Sequence, residues 1–175
     1  MVKYILISGK INSGKTTFAN IILNKFPNDV IVSHFSDIPK KEFCNKFNYD
    51  LQLMYESREY KEQLRPKLIE YAESNKLVNG KDIWAKTLTL GIPDSSKIVI
   101  IPDLRLIEEL DYFIQNQLDF VIVRINRIGT CNQHFTEIQF DNYTGFDFIY
   151  ENNRSFDDLR VSAINFITPI IKNDI

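Results

Sequence analysis

The sequence predicts an α/β fold, a parallel five-stranded sheet with helices on both faces. Three observations lead there. Short runs of Ile, Val and Leu without polar alternation recur along the chain, as strands buried on both sides do. Longer segments with apolar residues every three to four positions separate them. The first strand run is followed at once by a glycine-rich turn that opens a helical segment, the start of a β-α unit. At 175 residues the chain suits one domain, 1–175, with one sizeable core.

The elements follow in order. Residues 2–8 are the first strand and 14–26 the first helix, with Pro27 just past its end, where a helix cannot continue. A second strand covers 30–35. From 38 to about 90 the pattern is helical, with Leu64, Leu68 and Tyr71 on one face and charges on the other. Residues 97–101 are a buried strand, and 104–115 a helix whose early glutamates suit its dipole. A strand at 120–125 precedes a polar, irregular stretch at 126–142. A last strand at 146–150 leads into a helix at 155–171, with Ser155 or a residue near it as the cap. In such a sheet the functional loops gather at the carboxyl ends of the strands.

Bulk composition narrows the function. A net charge of -2 argues against a general nucleic-acid binder, which carries a basic excess, yet leaves room for a local basic cleft. No apolar run approaches the roughly 18 residues of a membrane span. With the first strand expected from Val2, no leader peptide is expected. Cys44 and Cys131 have neither close pairing nor metal-ligand spacing, so both are expected as reduced thiols of a cytoplasmic protein, in the host cytoplasm if the chain is viral. Scarce Ala beside frequent Ile, Asn and Lys points to an AT-rich genome. A homodimer is compatible with the sequence.

The stretch Gly9-Lys10-Ile11-Asn12-Ser13-Gly14-Lys15-Thr16 fits G-x-x-x-x-G-K-[ST]. Its glycines let the backbone curl so that several N–H groups, Lys10, Asn12 and Ser13 included, converge on one phosphate. Lys15 reaches the terminal phosphates, the Thr16 hydroxyl is a Mg²⁺ ligand, and the start of the following helix, through Thr17, turns its positive end on the same anion. The motif therefore implies ATP or another nucleoside triphosphate, with Mg²⁺.

Asp103 ends a buried strand, where an acid lies near the metal and its waters, directly or through water; it is also good helix N-cap chemistry. Arg105 then faces the cleft and can grip a phosphate bidentately. Lys61 and Arg65 share one helix face, four residues apart, and by spacing alone such a face is more often simply solvated. Lys40 is similar. Arg124 and Arg127 flank the polar stretch 126–142, where a closing lid would carry cations onto a transferring phosphoryl group. His134 lies in the same stretch without metal-ligand spacing.

SGKINSGKT, FSDIPKKEF, YKEQLR, IIPDLR, VRINR, HFTEIQ and FDFIYEN occur in a familiar order, spread over nearly the whole chain. In this the sequence resembles the P-loop small-molecule kinases that include phage-type deoxynucleoside monophosphate kinases and animal-type phosphomevalonate kinases. The resemblance implies a nucleoside-monophosphate-kinase-like fold and transfer of the ATP γ-phosphoryl to a phosphate monoester. It places Lys40, Lys61, Arg65, Lys76, Trp84 and Arg105 with the acceptor, in a helical region at about 37–91. It places Lys15, Asp103, Arg105, Arg124 and Arg127 in catalysis, and Asn152 at the nucleotide-base end. Lys76 stands where these kinases often have Arg, and Thr16 where many have Asp.

The acceptor region carries Phe43, Phe47, Tyr49, Tyr55, Tyr60 and Trp84, flat surfaces that suit a nucleobase. That favours a deoxynucleoside or nucleoside monophosphate as the small-molecule acceptor, with phosphomevalonate as the alternative. A P-loop ATPase or nucleotide-binding module without an acceptor is the rival of a different class. A GTPase switch would show Asn-Lys-x-Asp, and no such run exists.

Overall fold

The computed structural model describes residues 2–93, 95–130 and 135–173. In chain order the elements are β1 (Lys3–Ser8), α1 (Lys15–Lys25), β2 (Val30–Val32), α2 (Asp37–Phe47), α3 (Leu51–Glu56), α4 (Arg58–Asn79) and α5 (Ile83–Leu90). Then follow β3 (Ile98–Leu104), α6 (Ile107–Gln115), β4 (Phe120–Asn126), α7 (Phe135–Ile138), β5 (Phe148–Glu151) and α8 (Phe156–Asn173). They divide into two compact units, Met1–Ser33 with Ile92–Ile175, and His34–Gly91.

The first unit holds a five-stranded sheet in the order β2-β3-β1-β4-β5, every neighbouring pair parallel. Strand side chains alternate between faces. Ile5, Ile7, Ile98, Ile100, Val123 and Ile125 pack with Phe18 and Ile22 of α1 and Leu159, Ala163 and Ile167 of α8. Tyr4 points the other way, its ring edge-on to Phe113 of α6 at 5.1 Å, and Phe120 meets the same ring at 6.0 Å. Burial on both faces explains the unbroken apolar runs. Ser155 caps α8 as expected: its Oγ accepts from the Asp158 N–H at 3.2 Å, and the Asp158 carboxylate accepts from the Ser155 N–H at 3.1 Å.

Several boundaries differ from the sequence reading: α6 starts at Ile107 and β5 at Phe148, later than expected, and two more bear on the site. β2 stops at Val32 because the chain turns into α2 soon after the Ser33 N–H bonds Ile100 O. β3 runs on to Leu104, three residues beyond the expected end, and carries a bulge. Leu6 pairs with Ile101 and Ser8 with Leu104, so Ile7 faces two residues, Pro102 and Asp103. β2 pairs with β3 only as far as Ile100, so Pro102, which has no N–H, lies past that ladder.

The second unit is helical, as the 38–90 pattern implied, but broken three times. Asn48 ends α2 in the left-handed region at φ 56°. Asp50 caps α3 by accepting from Leu53 N–H at 2.9 Å, and Ser57 caps α4 by accepting from Tyr60 N–H at 3.2 Å. Gly80 closes α4. Phe43, Cys44, Met54 and Leu64 form this unit's buried cluster. Cys44 is a buried free thiol, and Cys131 lies outside the described residues.

Candidate functional site

From Ser8 the chain enters the phosphate loop. Gly9, Asn12 and Gly14 take φ of 152°, 62° and 103°. Both glycines are also needed for space. A Cβ on Gly9 would lie 2.3 Å from Ile125 O, and one on Gly14 2.4 Å from Asn152 Nδ2. The turn delivers Lys15 as the first residue of α1, nearly buried, with its ammonium donating to Gly9 O and, at 2.8 Å, to Lys10 O. Thr16 and Thr17 follow on the exposed side.

Ser13 is fully buried, and its Oγ has no hydrogen-bond partner. Such a group costs free energy unless something satisfies it. In a loop of converging N–H groups at a helix N-terminus, a phosphate oxygen fits that role. The donor set for a divalent cation, Thr16 hydroxyl and Asp103 carboxylate, borders a cavity beside the loop whose lining does not include Ser13. Among the described residues no cluster of three His, Cys, Asp or Glu could hold a metal, so a cation here would share its ligands with the phosphates.

That cavity, of about 520 Å³, is bounded by the loop and α1 (Asn12, Gly14, Lys15, Thr16, Thr17), the end of β3 (Pro102, Asp103), Arg105 just past it, and Arg127. Lys15, Arg105 and Arg127 against Asp103 leave it net positive, which suits a polyanion. Asp103 belongs to the bulge of β3 and is not the N-cap of α6. The acid at that helix start is Glu109, whose Oε2 accepts from Arg105 N–H at 2.9 Å and Leu106 N–H at 3.0 Å.

Arg124 differs from its expected role as a lid cation. It is 8% exposed and absent from the cavity wall. Its guanidinium donates to Ser8 Oγ, Asn126 Oδ1 and Asp141 Oδ1, each at 3.1 Å, and lies over the Phe146 ring. Asp141 Oδ2 in turn accepts from Lys10 Nζ at 2.9 Å. The Arg124–Asp141–Lys10 chain therefore ties β4 to the phosphate loop. Asn152 also serves the loop: its Nδ2 donates to Ser13 O at 2.8 Å, and its N–H bonds Asn126 O. Sequence reasoning missed Ser8, Asp141 and Glu109. Asp141 had no local signal, since its partners are 131 and 17 residues away.

In the helical unit the expected acceptor cations have carboxylate neighbours. Arg65 grips Glu62 bidentately at 2.8 and 2.6 Å on an exposed face, and that contact lowers the Glu62 carboxyl's pKa. Lys76 pairs with Glu73 at 3.3 Å. Lys40 donates to Asp37 Oδ1 and Ser36 Oγ, each at 3.1 Å, and lies over the Tyr55 ring. Burial would raise the Asp37 pKa, but the His34 hydrogen bond and the Lys40 charge outweigh it and hold the carboxyl well below the usual range. Burial, then the Asp37 charge and hydrogen bond, push Tyr55 up to about 12. Lys61 lies half-buried on α4. Trp84 is buried on α5, its indole Nε1 without a hydrogen-bond partner. His134 lies outside the described residues.

Among solved structures, a mutant of the Mycobacterium tuberculosis APS kinase CysC is similar at a TM-score of 0.49 and 16% identity, covering 95% of this chain and 96% of that one. The same kinase in complex with AMPPNP and APS gives 0.48 and 15%, covering 95% and 97%. Shikimate kinase from Aquifex aeolicus gives 0.48 and 13%, covering 95% and 97%. At that distance the likeness says nothing of chemistry. No curated protein matches the sequence. The family model for phosphomevalonate kinase matches residues 7–119, nearly two thirds of the chain, from the phosphate loop past Asp103 and Arg105. Of the two branches the sequence resembles, the match falls on one: this P-loop kinase belongs to the phosphomevalonate kinase family.

Proposed function

We propose that the protein transfers the γ-phosphoryl group of ATP to a phosphate monoester, with phosphomevalonate as the acceptor. One observation carries the transfer: Lys15, Thr16, Asp103, Arg105 and Arg127, from three separate stretches of chain, border a single cavity. The family match directs the acceptor.

The residues divide the work. The loop N–H groups and Lys15 hold the donor's terminal phosphates, and Arg127 offsets charge as the phosphoryl group moves. Arg105 grips the acceptor phosphate. Thr16 and Asp103 would hold Mg²⁺, which when bound offsets the charge of the phosphate oxygens. An acceptor phosphate is already nucleophilic at neutral pH, so no side chain need act as general base. Lys40, Lys61, Arg65 and Lys76 are proposed acceptor cations on the family resemblance. For Lys40, Arg65 and Lys76 the acceptor would compete with a carboxylate, a weak competitor at the exposed Arg65.

A coupled assay of ADP release tests this, with ATP offered beside phosphomevalonate, beside each nucleoside monophosphate, and alone. Release with phosphomevalonate is expected. Release only with a nucleoside monophosphate moves the acceptor, and release with none makes the protein an ATPase. The nucleoside monophosphate stays as a second reading because of one feature, the ring-lined cavity of the helical unit.

A further inference from the structure

The helical unit contains a cavity of about 480 Å³ between the end of α2 and the middle of α4. Its size lies within the range of small-ligand sites, roughly 300–1,000 Å³. Its walls are rings. Phe43 stacks on Tyr49 at 5.1 Å and 24°, while Phe47 meets Tyr71 edge-on at 6.0 Å and 84°. The left-handed turn at Asn48 brings Tyr49 back against α2. The Tyr71 hydroxyl is fixed on Glu42 at 3.2 Å, and Lys67 Nζ donates to the Tyr49 hydroxyl at 3.4 Å.

Core packing does not account for all of this. Phe47 is 49% exposed, a large ring left open to the cavity. Two ammonium groups border it, Lys46 and Lys67, against one lining carboxylate, Glu70. Lys46 lies 5.3 Å from the Tyr71 ring centre and 5.6 Å from that of Phe47. It covers the aromatic surface that a flat ligand would take.

We infer that this cavity binds a flat aromatic ring that carries an anionic group. The ring lies on Tyr71 and Phe47 and displaces the Lys46 ammonium. Lys46 and Lys67 then meet the anion, and Glu70 accepts from a ring N–H. A nucleoside monophosphate has this chemistry: as an effector it keeps its phosphate on Lys46 and Lys67, and as the acceptor it would have to present that phosphate to Arg105 instead. The site uses no residue of the donor cleft and stands whichever acceptor that cleft serves.

The test is titration calorimetry of the full chain with each of the four deoxynucleoside monophosphates. At least one should bind with Kd of about 1 mM or tighter. Phe47→Ala and Lys67→Gln, both at accessible positions, should each weaken it roughly tenfold, and Lys15→Ala should leave it unchanged. Ribose 5-phosphate, an anion without an aromatic ring, should bind at least roughly tenfold more weakly. No saturable binding, equal affinity in wild type and both variants, or equal affinity for ribose 5-phosphate would overturn the site. Turnover separates the two sources. An acceptor KM raised by Phe47→Ala identifies the ligand as the acceptor, and binding without turnover identifies an effector. Failure to phosphorylate phosphomevalonate would refute the acceptor reading and leave these outcomes as they are.

Discussion

In the α/β unit the cations of the cleft hang from the start of α1 and the ends of strands, where backbone hydrogen bonds hold their Cα atoms. In the helical unit Lys40, Arg65 and Lys76 project from helix faces and rest on carboxylates one turn away. The first arrangement is anchored for a polyanion, since the backbone that carries these side chains is fixed before any ligand arrives. The second is soft where it is exposed: the Arg65–Glu62 pair is an intrahelical contact of small worth, easily exchanged for a ligand. Substitutions of the cleft cations should cost catalysis, and substitutions of the backbone turn that carries them should cost folding. Substitutions in the second should cost little until an acceptor is present.

The largest effect belongs to Lys15→Ala. Steady-state kinetics should show kcat falling by about 10²–10³ with Tm nearly unchanged, and an unaltered kcat would break the contrast at its strongest point. Gly14→Ala comes next. The left-handed φ and the closeness of Asn152 should cost about 1–3 kcal/mol, read as a Tm fall of several degrees. Asn152→Ala should remove about 1–2 kcal/mol by leaving Ser13 O unpaired, and should raise KM for ATP more than it lowers kcat. Asn152→Asp should be worse, since it sets a carboxylate against a carbonyl.

The helical unit supplies the smaller effects. The folded state lowers the Asp37 pKa, so this group's stabilisation is present above the ordinary value of about 3.9 and fades as pH falls below it. Denaturation followed between pH 3 and 6, both within about one to two units of that value, should show the acid-side loss in wild type and a flatter profile in Asp37→Asn. Last is Glu62→Gln, which should leave Tm within about 1 °C of wild type. If Arg65 binds acceptor, the same change should lower acceptor KM, and an unchanged KM removes Arg65 from the site.

Legibility in the sequence followed the range of the interactions. Phosphate loop, strand runs and the Ser155 cap are local patterns, and the structure matches them. Strand ends were less legible, because the end of β3 depends on pairing with β1 across a bulge. Arg124 stood out by residue type and Asn152 by the family resemblance, but what they touch is set by register: Arg124 pairs with Ser8 across β4 and β1. Asp141 was invisible, being an ordinary acid until the fold brings Lys10 and Arg124 to it. In the helical unit, helical spacing showed which residues share a face but not that Glu62 would hold Arg65.

The bulge in β3 also limits how this chain can change length. Between the paired positions Leu6–Ile101 and Ser8–Leu104, β3 spends two residues where β1 spends one. That spare residue sets which way Asp103 points, since strand side chains alternate. Deleting Pro102 would erase the offset and turn the acid away, besides removing one residue of the cavity wall. Insertions and deletions should therefore be tolerated in the turn before Ile98 and rejected between Ile98 and Leu104. Counting residues along that strand across related sequences would show whether descent has kept the number constant while the letters drifted.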